Sequence, residues 1–374
     1  MMDLNRIRDE FELVRNGTIF LNHAGTSPLS RRCADAMQWA VELNRTMPPD
    51  AWGQFQQRLS DCRNLLARML NVQANEIAFS RNTTEGINWI ANGIDWRPGD
   101  RIVTIRGEYP ANIYPWMRLR EKGITLHLIQ PIEERVTLEQ IEKELVPGTR
   151  LFTISFVQFA SGFRIDLEAV GELCRKKGVL FFVDLIQGMG VFPLDLKKAH
   201  VDFAAGASQK WLLGPQGAGF FYCPHTLFNV IQPTCVGADT MAEPLPYLHY
   251  EYELRADTAR FEYGTPPSIN LIGLEAALNL FEEAGMENVC ERVRILTTIL
   301  VEGALKKGFH CHSPRGDDEW SGIVILTHPL HSNQTILKQL EVKNIRATER
   351  EGRIRLAPHF YQTEEEMTLV VDAL

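Results

Sequence analysis

The stretch "RLFTISFVQFASGFRIDLEAVGELCRKKGVLFFVD", residues 150–184, decides the fold. It opens and closes on apolar runs rich in β-branched and aromatic residues. Between them lies a segment whose apolar residues recur at helical spacing. Strand, helix and strand in this order form a parallel crossover unit. Near-continuous apolar strands, as opposed to alternating ones, belong to a sheet covered on both faces. The pattern extends outward on both sides. "EIAFS" (76–80), "RIVTI" (101–105), "ITLHLI" (124–129), "VDFAAG" (201–206) and "GAGFFYC" (217–223) read as further strands. "TEGINWIANGI" (84–94), "ANIYPWMRLREKG" (111–123) and "TLEQIEKELV" (137–146) read as the helices between them. The expectation is an α/β large domain built on a mostly parallel central sheet.

A break follows at "RFEYGTPPSIN" (260–270), where two prolines and a glycine punctuate the chain. Helical patterns at 268–285 and 287–308, then "GIVILTH" (322–328), a helix near 333–342, "RIRLAP" (353–358) and a helix from Thr363 predict a smaller α+β domain. The expected division is an N-terminal arm over 1–15, a large domain over 16–262 and a small C-terminal domain over 263–374.

Composition narrows the function classes. The chain has 374 residues, 45% hydrophobic and 23% charged, ordinary for a globular enzyme. Acidic residues outnumber basic ones 47 to 39, a net charge of −8, which argues against a nucleic-acid partner. The seven cysteines lie far apart, with no C-x-x-C pair, so a reducing, cytoplasmic setting is expected and a disulfide framework is not. "HCHS" (310–313) is the nearest approach to a metal motif; it leads into polar "SPRGDDEW" and reads as an exposed turn, so no metal is expected. The N-terminus carries acids and lacks the apolar core of a secretory signal. No apolar run reaches the length of a membrane span.

In open α/β sheets, ligands bind beyond the carboxyl ends of the strands. Four strand ends carry suggestive residues. After "EIAFS" a helix begins near Thr83 and Thr84, where free N–H groups and the helix dipole favour an anion; ordinary N-capping is the alternative. Asp184 ends the most apolar strand, where a carboxylate is costly unless paired, and Gln187 follows three residues on; the rival role for Asp184 is to cap the turn. In "GASQKWLLGPQGAG" (206–219), Lys210 follows a strand and small residues. Burial there would depress its pKa and make it a nucleophilic amine, unless its head reaches water. Tyr109 in "GEYPANIYPW" offers a flat ring to an aromatic ligand, whereas Trp116 reads as core. Anion site, buried carboxylate and lysine together are what pyridoxal phosphate requires, one each for its phosphate, ring nitrogen and aldehyde.

At this point the sequence resembles the class V aminotransferases, a group of fold type I pyridoxal-phosphate enzymes that includes cysteine desulfurases, selenocysteine lyases and isopenicillin N epimerase-like proteins. The ordered set "TTEGIN", "GEYPANIYPW", "VDLIQ", "SQKWLLGPQGAG", "RFEYGTP" and "RIRLAPHFYQTEEE" carries the resemblance over nearly the whole chain. It implies that Lys210 forms a Schiff base with pyridoxal 5'-phosphate, that Asp184 pairs with the ring nitrogen, that Gln187 contacts the ring hydroxyl and that Tyr109 stacks on the ring. Thr84, Ser208 and Gln209 would hold the phosphate. Thr265 would reach the phosphate of a partner subunit, which implies a homodimer. Arg355 would grip the carboxylate of an amino-acid substrate, with Arg353 the rival on the same strand. Asn22, His23 and Gln158 would line the substrate pocket. Cysteine desulfurases carry a mobile cysteine between their last small-domain strands; here "NIRATEREGRIRLAP" (344–358) has none. The resemblance therefore implies a lyase lacking that cysteine, an aminotransferase or an epimerase.

Overall fold

In chain order the elements are α1 (Leu4–Arg8), α2 (Glu12–Arg15), β1 (Ile19–Phe20), α3 (Arg31–Thr46), α4 (Ala51–Leu70), β2 (Ile77–Ser80), α5 (Thr83–Gly93), β3 (Arg101–Ile105), α6 (Tyr114–Arg118), β4 (Thr125–Ile129), α7 (Leu138–Glu144), β5 (Thr149–Ser155), α8 (Leu167–Lys177), β6 (Leu180–Asp184), β7 (Phe203–Ala207) and β8 (Gly219–Tyr222). Then come α9 (Ser268–Ala284), α10 (Met286–Lys306), β9 (His310–Cys311), β10 (Val324–Thr327), α11 (Asn333–Val342), β11 (Ile345–Arg346), β12 (Thr348–Arg350), β13 (Arg353–Leu356) and α12 (Glu364–Ala373). This computed structural model describes residues 2–242, 248 and 250–374.

Seven strands form the central sheet in the order β2-β8-β7-β6-β5-β3-β4. β7, β6, β5, β3 and β4 run parallel, and β8 is antiparallel to both of its neighbours. β2 therefore points the same way as the parallel set, and six carboxyl ends open on one side. Alternate residues face opposite layers: Phe79, Val103, Phe152, Phe181 and Val183 pack on one side, and Ala78, Ile102, Leu151, Phe182 and Phe203 on the other. Burial on both faces explains the near-continuous apolar strands.

Two segments differ from the sequence expectation. "ANIYPWMRLREKG" forms only α6 flanked by tight 3₁₀ turns, because Pro110 and Pro115 interrupt a regular helix. "HCHS" is not a turn: its first half is β9, paired with β10.

The second sheet has the order β12-β13-β10-β9 and carries its own core of Val324, Leu326, Ile354 and Leu356 under α10 and α12. α9 packs along α3 and α4, and its Leu271, Leu274 and Leu278 join the core of the large sheet. The division expected after residue 262 is therefore better drawn near Gly285, with α9 counted in the large domain. The N-terminal segment crosses between the domains. β1 pairs with β11, Asn22 bridges to Ala357, and Arg8 on α1 ion-pairs with Glu366 at 2.6 Å.

Candidate active site

Lys210 leaves the sheet just after β7 in a segment clamped from several sides. The Ser27 N–H donates to the Gln209 carbonyl (2.8 Å), and the Ser27 hydroxyl donates to the Lys210 carbonyl (2.5 Å). Trp211 is wholly buried; its indole N–H donates to Gln187 Oε1 (2.7 Å), and its carbonyl accepts from His359 Nε2 (2.8 Å). Gly190, at φ +92°, lets that carbonyl approach, since a Cβ there would lie 2.2 Å from it. With its backbone fixed, the Lys210 side chain points over the sheet end, its Nζ 5.6 Å from the centroid of the Tyr109 ring. Burial lowers its pKa, with Arg355 and Arg350 adding to the effect and Asp184 opposing it.

Asp184 ends β6 and is 2% exposed. One oxygen accepts the Ile186 N–H (2.9 Å), a turn-capping bond that leaves the other oxygen available. Burial raises its pKa; the Ile186 N–H and Lys210 counter this, and Glu108 reinforces it. Glu108 is a buried carboxylate that the sequence reading passed over. It accepts from the Ser155 N–H (2.6 Å), the Ser155 hydroxyl (2.5 Å) and Gln158 Nε2 (2.7 Å). Ser155 lies beside Asp184 in the β5–β6 register, so two acids share this end of the sheet. The available signal was a glutamate three residues past the end of an apolar strand.

The candidate anion-binding corner is the start of α5. Asn82 caps the helix, its Oδ1 accepting the Glu85 N–H (3.0 Å). Thr84 is exposed, while the Thr83 hydroxyl is buried with no hydrogen-bond partner among the described residues. An orphaned hydroxyl at a helix N-terminus suits a phosphate.

On the small domain, Arg355 of β13 is 2% exposed. Nη2 donates to Asn22 Oδ1 (3.2 Å), and the buried Nε has no partner. No carboxylate pairs with it among the described residues. Burial pushes its pKa down to about 10, helped by Arg350. Arg353 differs: it is partly exposed and bound to Glu134 at 2.7 Å. A buried guanidinium without a counter-ion is poised for an anionic ligand, and this separates Arg355 from its rival.

Several residues take other positions than expected. His23 is fully buried, Nδ1 donating to the Ala357 carbonyl (2.7 Å) and Nε2 accepting from the Tyr361 hydroxyl (2.9 Å). With both ring nitrogens used, it braces the fold and does not line a pocket. Ser208 is also fully buried; its hydroxyl faces the Pro215 and Ala218 carbonyls, which take its one proton and leave none for a phosphate. Gln187 is engaged at both ends, by Trp211 and by the Ala24 carbonyl (3.1 Å). Gln158 is turned to Glu108. The Gln209 side chain makes no hydrogen bond among the described residues. Tyr109 is 45% exposed, edge-on to Phe159, with Lys210 Nζ over its face. Trp116 is core. Thr265 lies apart, exposed, in a depression lined by Met47, Trp52, Phe55 and Pro266.

The residues present fit pyridoxal phosphate: an amine within electrostatic reach of a buried carboxylate, an aromatic ring facing that amine and an orphaned hydroxyl at a helix N-terminus. "NIRATEREGRIRLAP" folds as a tight β12–β13 hairpin, turned by Glu351 (φ +49°) and Gly352 (φ +72°). Cys311, on β9, has two strands between it and β12, and burial raises the pKa of its thiol.

Comparison with known proteins places the chain in a family. A "Probable cysteine desulfurase" of Pyrococcus abyssi is 29% identical over 343 residues, covering 85% of this chain and 82% of that one. A solved structure of a C-DES mutant with glycine covalently linked to its PLP cofactor is 25% identical and covers 98% of both chains at a TM-score of 0.90. A complex of the cystine C–S lyase C-DES with its product cysteine persulfide, also 25% identical, matches at 0.87 over 95% of this chain and 96% of that one. The model of the family "Aminotransferase class-V" matches residues 19–365, and the chain belongs to that family.

Proposed function

We propose that this pyridoxal 5'-phosphate-dependent enzyme acts at Cα of an amino acid and eliminates a β-substituent, as in C–S cleavage. One observation carries the reading. Lys210 lies within electrostatic reach of both Asp184 and Arg355, and none of the three has an ion-pair partner among the described residues. Pyridoxal phosphate, when bound, supplies an electron sink for a carbanion at Cα. Asp184 holds a proton at the pyridine nitrogen. Thr83, with the N–H groups opening α5, binds the phosphate, and Thr84 and Gln209 stand at the rim of that corner. Tyr109 covers one ring face and excludes water. Arg355, oriented by Asn22, takes the substrate α-carboxylate through paired hydrogen bonds. Lys210, its pKa lowered by burial to about 8, takes the proton from Cα.

The names of the relatives support a lyase. The hairpin where desulfurases place their cysteine supports one that keeps no sulfur on the protein. Transamination is the second reading, because it shares the proton abstraction by Lys210; return of the proton to Cα would give epimerisation. Thr265, beside exposed Trp52 and Met47, supports a homodimer in which it serves the partner's site. All seven cysteines are unpaired, which supports a reducing, cytoplasmic compartment. No helix among the described residues is long and apolar enough to cross a membrane. The aromatic and acidic segment 235–253 would act as a lid or dimer contact. Residues 243–247 and 249 of it lie outside the described residues, and Tyr250 and Tyr252 are 90% and 71% exposed.

The test is absorbance followed by products. Protein with cofactor should show a band at the edge of the visible range that Lys210→Ala abolishes. A panel of amino acids should then release pyruvate or sulfide. Keto acid without elimination would move the assignment to transamination. A wild-type protein that binds no cofactor, or absorbs like Lys210→Ala, would leave a binding protein on the same fold.

A further inference from the structure

The hairpin that replaces the desulfurase loop carries a third arginine. Arg350 on β12 lies directly opposite Arg353 on β13, and Thr348 opposite Arg355. Directly opposed residues share a face of the sheet, and so do residues two apart on a strand. Arg350, Arg353 and Arg355 therefore project from one face, away from the Ile354 and Leu356 core and toward the crevice. Among the described residues a single carboxylate, Glu134, pairs with this trio, and it is bound to Arg353. The Arg350 side chain has no hydrogen bond and no ion pair among the described residues, and its Nε is buried without a partner. It stands within electrostatic reach of both Arg355 and Lys210.

Like charges opposed across a strand pair destabilise it, and a guanidinium that loses water without gaining an acceptor costs more. Two unpaired guanidinia on one face outnumber a single α-carboxylate. The cofactor phosphate does not serve them, because it is assigned to the start of α5 on the large domain. Resting on the reading of Arg355 as the α-carboxylate anchor, we propose that Arg350 binds a second carboxylate on the substrate side chain, so that the enzyme selects dicarboxylic amino acids. The planar fork of Arg350 suits a carboxylate presented beside the first.

The test is calorimetric, on the cofactor-loaded enzyme, with succinate and glutarate as unreactive dicarboxylate probes and butyrate as the monocarboxylate. Wild type should bind the better dicarboxylate at least about tenfold more tightly than butyrate. In Arg350→Met that ratio should fall to about twofold or less; Arg350→Lys, which keeps the charge and guards against a folding defect, should retain part of it. The same loss of preference should appear in the Kd values of L-glutamate and L-aspartate against L-alanine, amino acids without a β-leaving group. A wild type without dicarboxylate preference, or an Arg350→Met protein with the ratio intact, overturns the proposal. Equal weakening of butyrate and dicarboxylates also overturns it, because both arginines would then share one carboxylate. Arg355→Met separates the underlying reading: unchanged butyrate binding in that variant would sink the anchor role of Arg355, whatever the Arg350 ratio shows.

Discussion

Two neighbouring groups of buried polar side chains behave in opposite ways. Around His23 every ring nitrogen and hydroxyl has a partner. His23 joins Ala357 to Tyr361, His359 joins Trp211 to the Phe360 N–H (2.8 Å), and Trp211 reaches Gln187. Around Lys210 the polar groups are as deeply placed, yet they run out of partners: Arg355 keeps an idle Nε, Thr83 an idle hydroxyl, and Asp184 one occupied oxygen. From sequence, His23 and Gln187 of the first group were expected to be functional, as were the members of the second. Burial and polarity did not separate them; the partner count does. A satisfied lattice holds the fold together, and an unsatisfied one holds room for a ligand.

Variants should split along the same line, the crevice losing chemistry and the lattice losing stability. The largest effect is expected for Lys210→Ala, a loss of turnover of about a thousandfold or more with the melting temperature little changed. Asp184→Asn should cost on the order of a hundredfold in turnover, measured at saturating cofactor, because an amide cannot hold the ring-nitrogen proton as a carboxylate does. Arg355→Met should lower kcat/KM by roughly ten- to a hundredfold, the loss of a charged hydrogen-bonded pair. Its apoprotein should melt no lower than wild type, since the variant removes a buried charge without a counter-ion. Arg353→Met, which breaks a partly exposed ion pair, should change kcat/KM by about twofold at most. Equal losses at 353 and 355 would erase the distinction between them.

How much was legible in the sequence follows from what each feature depends on. The central strands declared themselves because burial on both faces forces unbroken apolar runs. Asp184 and Lys210 were found because a charge directly after such a run is costly and local. Glu108 obeys the same rule in "RGEYP" but is hidden by the tyrosine beside it. The clamp formed by Ser27 and Trp211 depends on residues 183 positions apart, which no local pattern reveals. Ser208 and His23 sit one or two residues from positions that face the crevice, and strand and turn geometry sends adjacent side chains to opposite sides. Choosing between Arg353 and Arg355 required Glu134, far away in sequence. The domain boundary was drawn at the Gly-Pro-Pro break, whereas the packing of α9 on α3 and α4 carries the large domain past it.

The lattice makes the gentlest prediction. Burial holds His359 at about 4, and burial with His359 nearby also lowers His23. The unfolded chain titrates these rings near the usual value of about 6.5. Between the folded and unfolded values the unfolded state binds more protons, so stability falls as pH drops from about 6.5 toward 4 and is unaffected by the rings above that. Each histidine contributes up to about 1.4 kcal/mol per pH unit in that window. Urea melts at pH 7, 6 and 5 should show the decline, and a flat profile would mean that the rings protonate in the folded protein. Tyr361→Phe tests the same lattice at neutral pH. It removes the hydroxyl that donates to His23 Nε2 while keeping the ring stacked on Phe11 at 3.9 Å. The stranded imidazole nitrogen should cost about 1 kcal/mol of stability. Turnover per folded molecule should stay level, because Tyr361 supports the segment that carries Asn22 and touches nothing in the crevice itself.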